Sequence, residues 1–416
     1  MPRRRHVLVL NQYYWPGREA TALLLTELSE FLGAEYDVTV VTGLLHEQGV
    51  GPGIEDRNGV RIIRVRSTSF DRRRLLLRGI NYFSYLIMTA VRAATLPRPD
   101  LILSMTDPPI VGALGVALGR RFGAPVVTVS QDVFPEVAVA LRRLDNSILI
   151  RLLDVASRWY LRNSTVVVAI GETMRLRLID KGAAPDAVRV IPNWVDLDVI
   201  RPMQRQNEWS KEQGLDGKFV VMHSGNVGYT AAVDTMVRAA TFLRDRDDIE
   251  VLVIGQGARW ATVTELAERL EAESVRFLNY QPRARLALSL ATGDLHVVGL
   301  AHGLAGYVVP SRLYGILAAG RPVLAAAEEE SETAMLVREV GCGIVVPPQR
   351  PELLTKAIRD AADGVYDLEA MGRRARQWVE REGGREIAVE RYRSLIEGLA
   401  STGAAPPRPE PPTVIG

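Results

Sequence analysis

The sequence contains one cysteine, Cys342, among its 416 residues. A single cysteine cannot close an intramolecular disulfide or build a cysteine-rich zinc site, so both are excluded and a reducing compartment is favoured. We predict that Cys342 is a small residue of the hydrophobic core. The five histidines follow no spacing typical of zinc ligands, so no metal site is predicted.

An excess of charge of either sign is also absent. Lys and Arg number 51 against 49 for Asp and Glu, which leaves a net charge of +2. A balance this close argues against nucleic acid as a partner, because that binding depends on a strong basic field. Any binding that depends on positive charge must therefore come from a local cluster of basic residues.

Long hydrophobic runs are missing as well. A membrane-spanning helix needs about 20 apolar residues, and the longest candidate, residues 80–91, is interrupted by Asn81, Ser84 and Thr89. The arginines at 3–5 precede only a short apolar run, which predicts a first β-strand rather than a signal peptide. We expect a cytoplasmic protein, or one that is peripheral on the inner face of the cytoplasmic membrane.

The chain instead shows a repeated alternation of short apolar, β-branched runs with loops and stretches of helical periodicity. This pattern is typical of parallel α/β architecture, and the length suits two domains of roughly 200 residues each. The predicted strands form two series, residues 6–10, 37–42, 60–65, 101–104, 126–130, 165–170 and 188–191, and then 219–224, 250–254, 275–278, 294–299, 322–326 and 343–346. We therefore predict two Rossmann-like domains whose parallel sheets face each other across a cleft.

Breaks in this periodicity divide the chain. We predict an N-terminal Rossmann-like domain over 1–191 and a linker over 192–217, where proline, glutamine and charged residues replace the apolar pattern. A C-terminal Rossmann-like domain follows over 218–384, and then a helix over 385–400. Residues 401–416 form a proline-rich tail that is predicted to be disordered.

One strand of the second series ends in Gly255 and Gly257, followed by Arg259 and Trp260. A dinucleotide site would place a third glycine at Trp260 and would follow the first strand of its domain, so nicotinamide binding is disfavoured. Glycines at the carboxyl end of a strand still let a phosphate approach the backbone. Arg259 is placed to add a cation.

The most informative stretch is the glycine-containing loop that begins at residue 303 and the short helix after it. Ser311 is a good candidate for the helix N-cap and Gly320 for the end of the helix. A helix N-terminus offers free N–H groups and the positive end of a dipole, which suit a diphosphate. We predict a phosphate-binding loop here.

Together with residues 330–332 and 341–348, this stretch resembles the donor site of retaining GT-B glycosyltransferases of family 4. The resemblance is closest to the branch of the colanic-acid and O-antigen N-acetyl-fucosamine-type transferases, and it spans nearly all of residues 6–399. Three further segments agree in order and spacing: residues 12–16, residues 131–136, and residues 191–196 together with 223–228.

The resemblance implies a GT-B fold whose last helix packs back on the N-terminal domain. It also implies transfer of a sugar from a nucleoside diphosphate donor, with retention of configuration and with no metal or other cofactor. In such enzymes the acceptor hydroxyl attacks from the side of the leaving group, and the donor phosphate takes its proton. No enzyme base is then needed.

The resemblance also implies which residues form the site. Asp132, Arg259 and Glu332 are the catalytic candidates, with Arg259 as the main phosphate cation and Glu332 as a ligand of the ribose. Donor contacts are implied at Gly225, Asn226, Gly228, Arg259, Asn279, Tyr280, Gln281, Gly306, Pro310, Ser311, Arg312, Leu313 and Glu332. Acceptor contacts are implied at Gly17, Glu19, Gln131, Asp132 and Glu136.

Departures from the family pattern bear on these assignments. The usual pair of glutamates falls on Tyr307 and Gly315, so Glu332 is a substitute for a ribose ligand rather than a match. Asp196 and Asp198 imitate a metal-binding motif, but they follow the linker sequence Pro-Asn-Trp, where carboxylates at a helix start are a sufficient explanation. We predict no metal at this place.

Residues 70–98 carry arginines on both sides of an aromatic and aliphatic segment. Two interpretations stay open, a solvated basic loop followed by a buried helix, or a surface helix that docks on anionic lipid. A second basic and apolar stretch, residues 141–162, favours docking. The docked form would place Arg72, Arg73, Arg74 and Arg78 near head groups and Tyr82, Phe83, Tyr85 and Leu86 in the interface.

We predict a glycosyltransferase that uses a UDP-sugar, of hexose or N-acetylhexosamine type, and a lipid-linked acceptor in cell-surface polysaccharide or glycoconjugate biosynthesis. Three alternatives stay open: glycosylation of a soluble small molecule or natural product, a nucleotide-sugar epimerase of the same fold, and a non-catalytic nucleotide-sugar-binding subunit. The epimerase would need a histidine and carboxylate set across the cleft, which the sequence does not show.

Overall fold

The computed structural model describes residues 3–17, 19–45, 49–68, 70 and 75–401. The predicted head-group arginines 72–74, the side chain of Arg78 and the tail from residue 402 onward lie outside the described residues. The described strands are β1 (His6–Leu10), β2 (Asp37–Thr42), β3 (Gly53–Arg57), β4 (Val60–Arg64), β5 (Leu101–Ser104), β6 (Val126–Ser130), β7 (Val166–Ala169), β8 (Val188–Val190), β9 (Phe219–Ser224), β10 (Ile249–Ile254), β11 (Val275–Leu278), β12 (Leu295–Gly299), β13 (Val323–Ala326) and β14 (Gly343–Val346).

The strands form two sheets. The first has the order β3-β4-β2-β1-β5-β6-β7-β8, and the second has the order β11-β10-β9-β12-β13-β14. Neighbouring strands are parallel throughout, apart from the antiparallel pair β3 and β4. The prediction of two Rossmann-like units with parallel sheets is confirmed.

Strand β3 was missed by the apolar pattern. Its sequence is polar and charged, because it lies at the sheet edge and pairs with β4 alone. Asn58 and Gly59 join the two strands with φ angles of 46° and 78°. Two consecutive positive φ angles are typical of a tight hairpin turn, and the Asn-Gly pair was the local signal for it.

Helices cover both faces of each sheet. They are α1 (Ala20–Leu32), α2 (Leu75–Ala94), α3 (Val111–Phe122), α4 (Glu136–Ala140), α5 (Ser147–Asn163), α6 (Glu172–Asp180), α7 (Glu208–Glu212), α8 (Val233–Ala240), α9 (Trp260–Arg269), α10 (Leu286–Thr292), α11 (Arg312–Ala318), α12 (Glu332–Val340), α13 (Pro351–Ala362), α14 (Leu368–Glu382) and α15 (Arg385–Ser401).

The first sheet is buried on both faces, as parallel sheets are. Successive residues of β1 point to opposite faces, so Val7 and Val9 pack in the layer that contains α1 and α15. Leu8 and Leu10 pack in the other layer, which contains side chains of α2, α3, α5 and α6. The N-terminal unit is therefore a three-layer sandwich of helices, sheet and helices.

The second sheet is covered in the same way. Val297 of β12 packs with α8, α9 and α13, while the adjacent Val298 packs with α11, α12 and α14. Cys342 belongs to the second of these layers and is fully buried, so its prediction as a core residue is confirmed. Burial raises the pKa of its thiol to about 12, so the thiol stays protonated at neutral pH.

The last helix returns to the first unit. On α15, Tyr392 packs in the core of the N-terminal sheet and meets Trp194 edge-on, with ring centroids 6.0 Å apart. The Trp194 indole N–H donates to Glu27 of α1 at 2.9 Å. Asp196 forms an ion pair with Arg385 at the start of α15 and accepts backbone N–H bonds from the residues after it. These contacts tie the linker and α15 to the N-terminal domain.

Helix α2 combines features of both interpretations of residues 70–98. Phe83 is 61% exposed, but Tyr85 is fully buried and donates its hydroxyl to the carbonyl of Val41 at 2.9 Å. The prediction that Tyr85 faces a lipid interface is therefore wrong, because the turn of the helix points it at the sheet. Among the described helices, none is both long enough and apolar enough to cross a bilayer.

Candidate active site

The candidate donor site lies at the carboxyl ends of β9, β10 and β12, where ligands of parallel α/β sheets are commonly bound. Gly225 follows β9 and Gly255 follows β10, with φ angles of 145° and 150°. A Cβ atom at Gly255 would lie 1.9 Å from the carbonyl oxygen of Gly225. The two turns can pack this closely only because residue 255 has no side chain.

The same fit continues along both loops. Gly257 has a φ of 155°, and a Cβ atom there would lie 2.4 Å from Oδ1 of Asn226. Backbone hydrogen bonds join Val227 N–H to the Gln256 carbonyl at 2.8 Å and Arg259 N–H to the Val227 carbonyl at 3.0 Å. The result is a double loop joined by backbone hydrogen bonds, which we name the glycine cradle and define as residues 225–228 and 255–259.

Arg312, the first residue of α11, lies over this cradle. A Cβ atom built on Gly225 would be 3.5 Å from the Arg312 Nε. The guanidinium donates to the imidazole of His223 at 2.9 Å and to the carbonyl of Asn226 at 3.3 Å. Among the described residues, no carboxylate forms an ion pair with Arg312.

The protonation states of this pair follow from burial. His223 is 1% exposed, and burial, reinforced by the nearby Arg312 charge, lowers the imidazole pKa well below its usual range. Burial also lowers the pKa of Arg312 to about 10, which still leaves it charged at neutral pH. A neutral histidine therefore orients a full positive charge without cancelling it.

Arg259, the predicted main phosphate cation, has a different environment. It precedes α9 at the rim of the cradle, and its guanidinium forms an ion pair with Asp234 at 3.2 Å. Both side chains are partly exposed. Part of the Arg259 charge is thus already balanced, and its role as the main cation stays a prediction.

The start of α11 differs in detail from the prediction. Ser311 occupies the N-cap position, as predicted, but its hydroxyl makes no capping hydrogen bond. Its backbone already has helical dihedral angles, which do not aim the hydroxyl at the first free N–H groups. Leu313 is fully buried and its N–H donates to the Pro310 carbonyl at 3.1 Å. Its side chain and its N–H are both engaged within the protein, and its donor contact stays a prediction.

The residues predicted to hold the nucleotide base follow β11. Tyr280 is 52% exposed, and its hydroxyl donates to the carbonyl of Gln256 at 3.4 Å. The Gln256 amide donates to Oδ1 of Asn279 at 2.5 Å. Gln281 accepts from the indole of Trp209 at 2.8 Å. Tyr280 therefore offers an exposed ring for stacking, while Gln281 is held by a buried residue.

Trp209 and His223 are site-supporting residues that the sequence patterns missed. Trp209 lies on α7, inside the segment that was interpreted as a polar linker, yet it is fully buried in the second unit. Asn207 closes a capping box at the start of α7, and this pattern of Asn followed by Ser210 was the available signal. For His223, the signal was its place in the segment 223–228, which resembles the family and begins near the end of a predicted strand.

The loop that contains Gly306 contacts the other domain. Asp132 and Val308 form an isolated antiparallel bridge, and the Val133 N–H donates to the Tyr307 carbonyl at 2.8 Å. A Cβ atom at Gly306 would lie 3.1 Å from the Thr173 carbonyl oxygen. The loop before α11 therefore rests directly on the N-terminal domain.

Glu332 also reaches across the cleft. Its Oε2 accepts from both the backbone N–H and the hydroxyl of Thr173, each at 2.9 Å. A Cβ atom at Gly171 would lie 2.4 Å from the Glu332 carboxyl carbon, so glycine leaves the room for this approach. The carboxylate thus caps the start of α6. Its predicted role as a ribose ligand is untested and stays a prediction.

On the acceptor side, two of the predicted residues are engaged within the protein. Gln131 and Asn193 exchange two amide hydrogen bonds, at 3.0 and 2.9 Å, and both are buried. Glu136 pairs with the buried Lys181 at 2.5 Å, and Lys181 also pairs with Asp154. The Gln131–Asn193 and Glu136–Lys181 contacts therefore hold the protein's own structure rather than leaving these side chains free to bind an acceptor.

The other predicted acceptor residues lie at loop ends of the N-terminal sheet. Asp132 follows β6 and is exposed. Gly17 donates to the Tyr14 carbonyl at 2.8 Å, and a Cβ atom there would meet Oε2 of Glu19 at 2.8 Å. Glu19 directly precedes α1. These residues follow the carboxyl ends of β1 and β6 in the N-terminal domain.

Comparison with known proteins decides the class of this arrangement. Residues 21–194 match the family model described as glycosyl transferase 4-like domain, and residues 205–378 match the model described as glycosyl transferases group 1. Together the two models account for most of the chain. The chain belongs to GT-B glycosyltransferase family 4.

Individual relatives place this family 4 glycosyltransferase near the branch that its motifs resemble. The probable glycosyltransferase WbjE of Pseudomonas aeruginosa is 26% identical over 402 residues, which cover 90% of this chain and 98% of the relative. The putative colanic acid biosynthesis glycosyl transferase WcaI of Escherichia coli K12 is 27% identical, with 72% and 74% covered. The predicted resemblance is confirmed.

A solved structure agrees with the fold. Anabaena Alr3699/HepE in complex with UDP superposes with a TM-score of 0.71 over 94% of this chain and 100% of that chain. The sequence identity is 14%, so this likeness shows the fold alone. The prediction of a GT-B fold with two Rossmann-like units is confirmed.

Proposed function

We propose that this enzyme transfers a sugar from a nucleoside diphosphate sugar, most simply a UDP-sugar of hexose or N-acetylhexosamine type, with retention and without a metal. The observation that carries the proposal is Arg312, a charged guanidinium oriented by neutral His223 above the glycine cradle. A cation without a carboxylate partner at the carboxyl ends of parallel strands suits a diphosphate. The HepE complex with UDP supports this donor class.

The chemistry of the step suits this arrangement. The bond between the sugar C1 and the leaving phosphate oxygen breaks, and a bond forms between C1 and the acceptor oxygen on the same face. The proton of the acceptor hydroxyl passes to the leaving diphosphate. Negative charge grows on that diphosphate, and Arg312 stabilises it in a site that is already organised.

We propose cell-surface polysaccharide biosynthesis as the setting. The name of WcaI supports this setting, since that relative is described as a putative colanic acid biosynthesis glycosyl transferase. We further propose a lipid-linked acceptor on the cytoplasmic side of the membrane. The exposed apolar residues of α2, on the domain opposite the donor site, favour that acceptor class over a soluble one.

Calorimetric titration of UDP and UDP-sugars, followed by transfer assays with EDTA present, tests the proposal. We expect UDP to bind wild-type protein and to bind Arg312→Ala about 100-fold more weakly, with Arg312→Lys between the two. Transfer in EDTA and a product of unchanged anomeric configuration by NMR are expected. Strict dependence on Mg²⁺ or Mn²⁺ would overturn the metal-independent part.

The same assays separate the alternatives. A nucleotide-sugar epimerase would convert one UDP-sugar into another with no acceptor present. A non-catalytic subunit would bind UDP with no hydrolysis or transfer across an acceptor panel. Either result would replace the transferase assignment, whereas a glycosylated product from a soluble acceptor alone would exclude only the lipid-linked part.

A further inference from the structure

Three helices of the N-terminal domain lie side by side on one face of the first sheet. Side chains of α2, α3 and α5 all pack in the same core layer, which places the helices together on the outside of that layer. Helix α3 contacts α2 on one side and α5 on the other. We name the outer side of these helices the α2–α5 face.

The outer row of α2 is apolar, and some of its inner positions are polar. Ile80, Phe83, Ile87 and Val91 are 41%, 61%, 61% and 59% exposed. Their spacings of three and four residues form one stripe about 16 Å long. Asn81 on the inner side is buried and bonds the backbone of residue 70. A helix with apolar residues facing outward needs an apolar partner for that row.

Helix α5 has a second row of the same length. Ile148, Leu152, Val155 and Trp159 are 72%, 62%, 59% and 36% exposed. Arg120 of α3 lies over the Trp159 ring at 5.1 Å. A tryptophan at the edge of an apolar row, with an arginine against it, is the combination found where proteins meet the head-group layer.

The charge of the three helices is mostly positive. The sequences of α2, α3 and α5 contain seven arginines and a single carboxylate, Asp154. That carboxylate pairs with Lys181 and Arg158. Arg120, Arg121 and Arg151 are exposed around the apolar rows. Among the residues that the structure describes, the face therefore combines apolar rows with a predominantly basic surround.

We propose that the α2–α5 face docks on an anionic lipid bilayer. Apolar rows enter the interface and arginines meet phosphate head groups, which is the pairing that stable peripheral binding requires. A second copy of the chain fits poorly, because symmetric pairing would set arginines against arginines. The proposal rests on the proposed function for its role, which is to bring the cleft to a lipid-linked acceptor.

Cosedimentation of the full chain with vesicles tests the face directly. We expect binding to vesicles of phosphatidylcholine with phosphatidylglycerol, weak binding to phosphatidylcholine alone, and release at high salt, since salt screens the arginines. The double variants Phe83→Ser with Ile87→Ser, and Leu152→Ser with Val155→Ser, should each weaken binding about tenfold or more. Arg120→Gln with Arg121→Gln should lower only the preference for anionic vesicles.

A matched control comes from the other domain. Phe242 and Val365 are 55% and 65% exposed, comparable to Phe83 and Ile87, but they lie away from the α2–α5 face. Phe242→Ser with Val365→Ser should leave vesicle binding unchanged. Equal loss in this control and in the α2 variant would overturn the proposal, because vesicle binding would then come from general hydrophobic exposure.

UDP titration on the same samples keeps this proposal separate from the proposed function. Variants of the face should bind UDP as wild type does, which also shows that they are folded. Vesicle binding without UDP binding would sink the transferase function and leave the docking face. UDP binding without vesicle binding would overturn the face, as would a wild-type dimer that the α2 variant converts to a monomer.

Discussion

The carboxyl ends of the two sheets carry loops of opposite character. At the C-terminal sheet, glycines with positive φ let two turns pack closely, and the charge of Arg312 has no carboxylate partner among the described residues. At the N-terminal sheet, polar groups are matched within the protein, as in the Gln131–Asn193 and Glu136–Lys181 pairs. The first end is organised to receive a charged ligand, and the second is organised to hold its own shape.

The difference teaches how one architecture serves two substrates. A diphosphate carries concentrated charge, so its site gains most from a fixed cation and fixed N–H groups. An acceptor hydroxyl carries no charge, so its site can be formed by loop shape and by the position of the domain. The following predictions test this contrast between the two ends.

The largest effect is expected at Arg312. Arg312→Ala should lower kcat/KM for the donor by about 100- to 1000-fold, because the charge that grows on the diphosphate loses its principal cation. Arg259→Ala is the matched control and should cost about tenfold or less, since Asp234 already balances part of its charge. Steady-state kinetics with both variants would reverse our ranking if Arg259→Ala proved the more damaging.

The C-terminal sheet should also be the acid-sensitive one. Burial lowers the pKa of His296 to about 4 and holds that of His223 well below its usual range, whereas both take up a proton near pH 6.5 when unfolded. Their stabilising contribution is therefore complete above about pH 6.5 and is lost as the pH falls toward 4. For His296, whose folded pKa is about 4, the loss at pH 5 reaches about 2 kcal/mol.

Denaturant unfolding at a series of pH values checks this. His296→Gln should flatten the fall in unfolding free energy between pH 6.5 and 5, even if it lowers stability at pH 7. An unchanged slope in this variant would mean that His296 does not carry the acid sensitivity.

A smaller effect is expected across the cleft. Glu332 and Thr173 should couple by about 1.5 kcal/mol in a double-mutant cycle of Glu332→Gln and Thr173→Val on unfolding free energy, as a charged hydrogen bond does. The same cycle on UDP affinity separates two roles of Glu332. Non-additive losses would show that it acts with Thr173, while a loss from Glu332→Gln that persists in Thr173→Val would support the ribose contact.

The smallest effects should appear at the acceptor end. Glu136→Gln should lower Tm by several degrees and leave the acceptor KM nearly unchanged, because its carboxylate pairs with buried Lys181. Asp132→Asn should raise the acceptor KM and leave Tm nearly unchanged, since Asp132 is exposed at the loop that meets Val308. Thermal unfolding with acceptor kinetics measures both, and a larger KM effect at Glu136 would restore it as an acceptor residue.

Local patterns predicted most of the fold. Each of the predicted strands lies within about one residue of an observed one, because buried parallel strands are continuous apolar runs that a short window detects. The exceptions were elements that form for a reason other than apolar periodicity. Strand β3 is an edge strand set by an Asn-Gly turn, and α7 is a short helix set by a capping box.

The candidate site also has a part that local sequence patterns predict and a part that they miss. The glycine turns could be found from the sequence, because positive φ and close approach are properties of glycine itself. The ranking of Arg312 above Arg259 could not, since it depends on which arginine meets a carboxylate. Tyr85 shows the same limit, because its side of α2 was decided by the sheet beneath it.

The sequence by itself determined the class of fold, the places where the chain turns on glycine, and the resemblance that the family models confirm. Tertiary structure alone decided which side chains of the site contact each other. His223 meets Arg312 across 89 residues, and Thr173 meets Glu332 across 159. A residue's own conformation depends on its neighbours in the chain, but the charge it presents to a ligand depends on what the fold brings beside it.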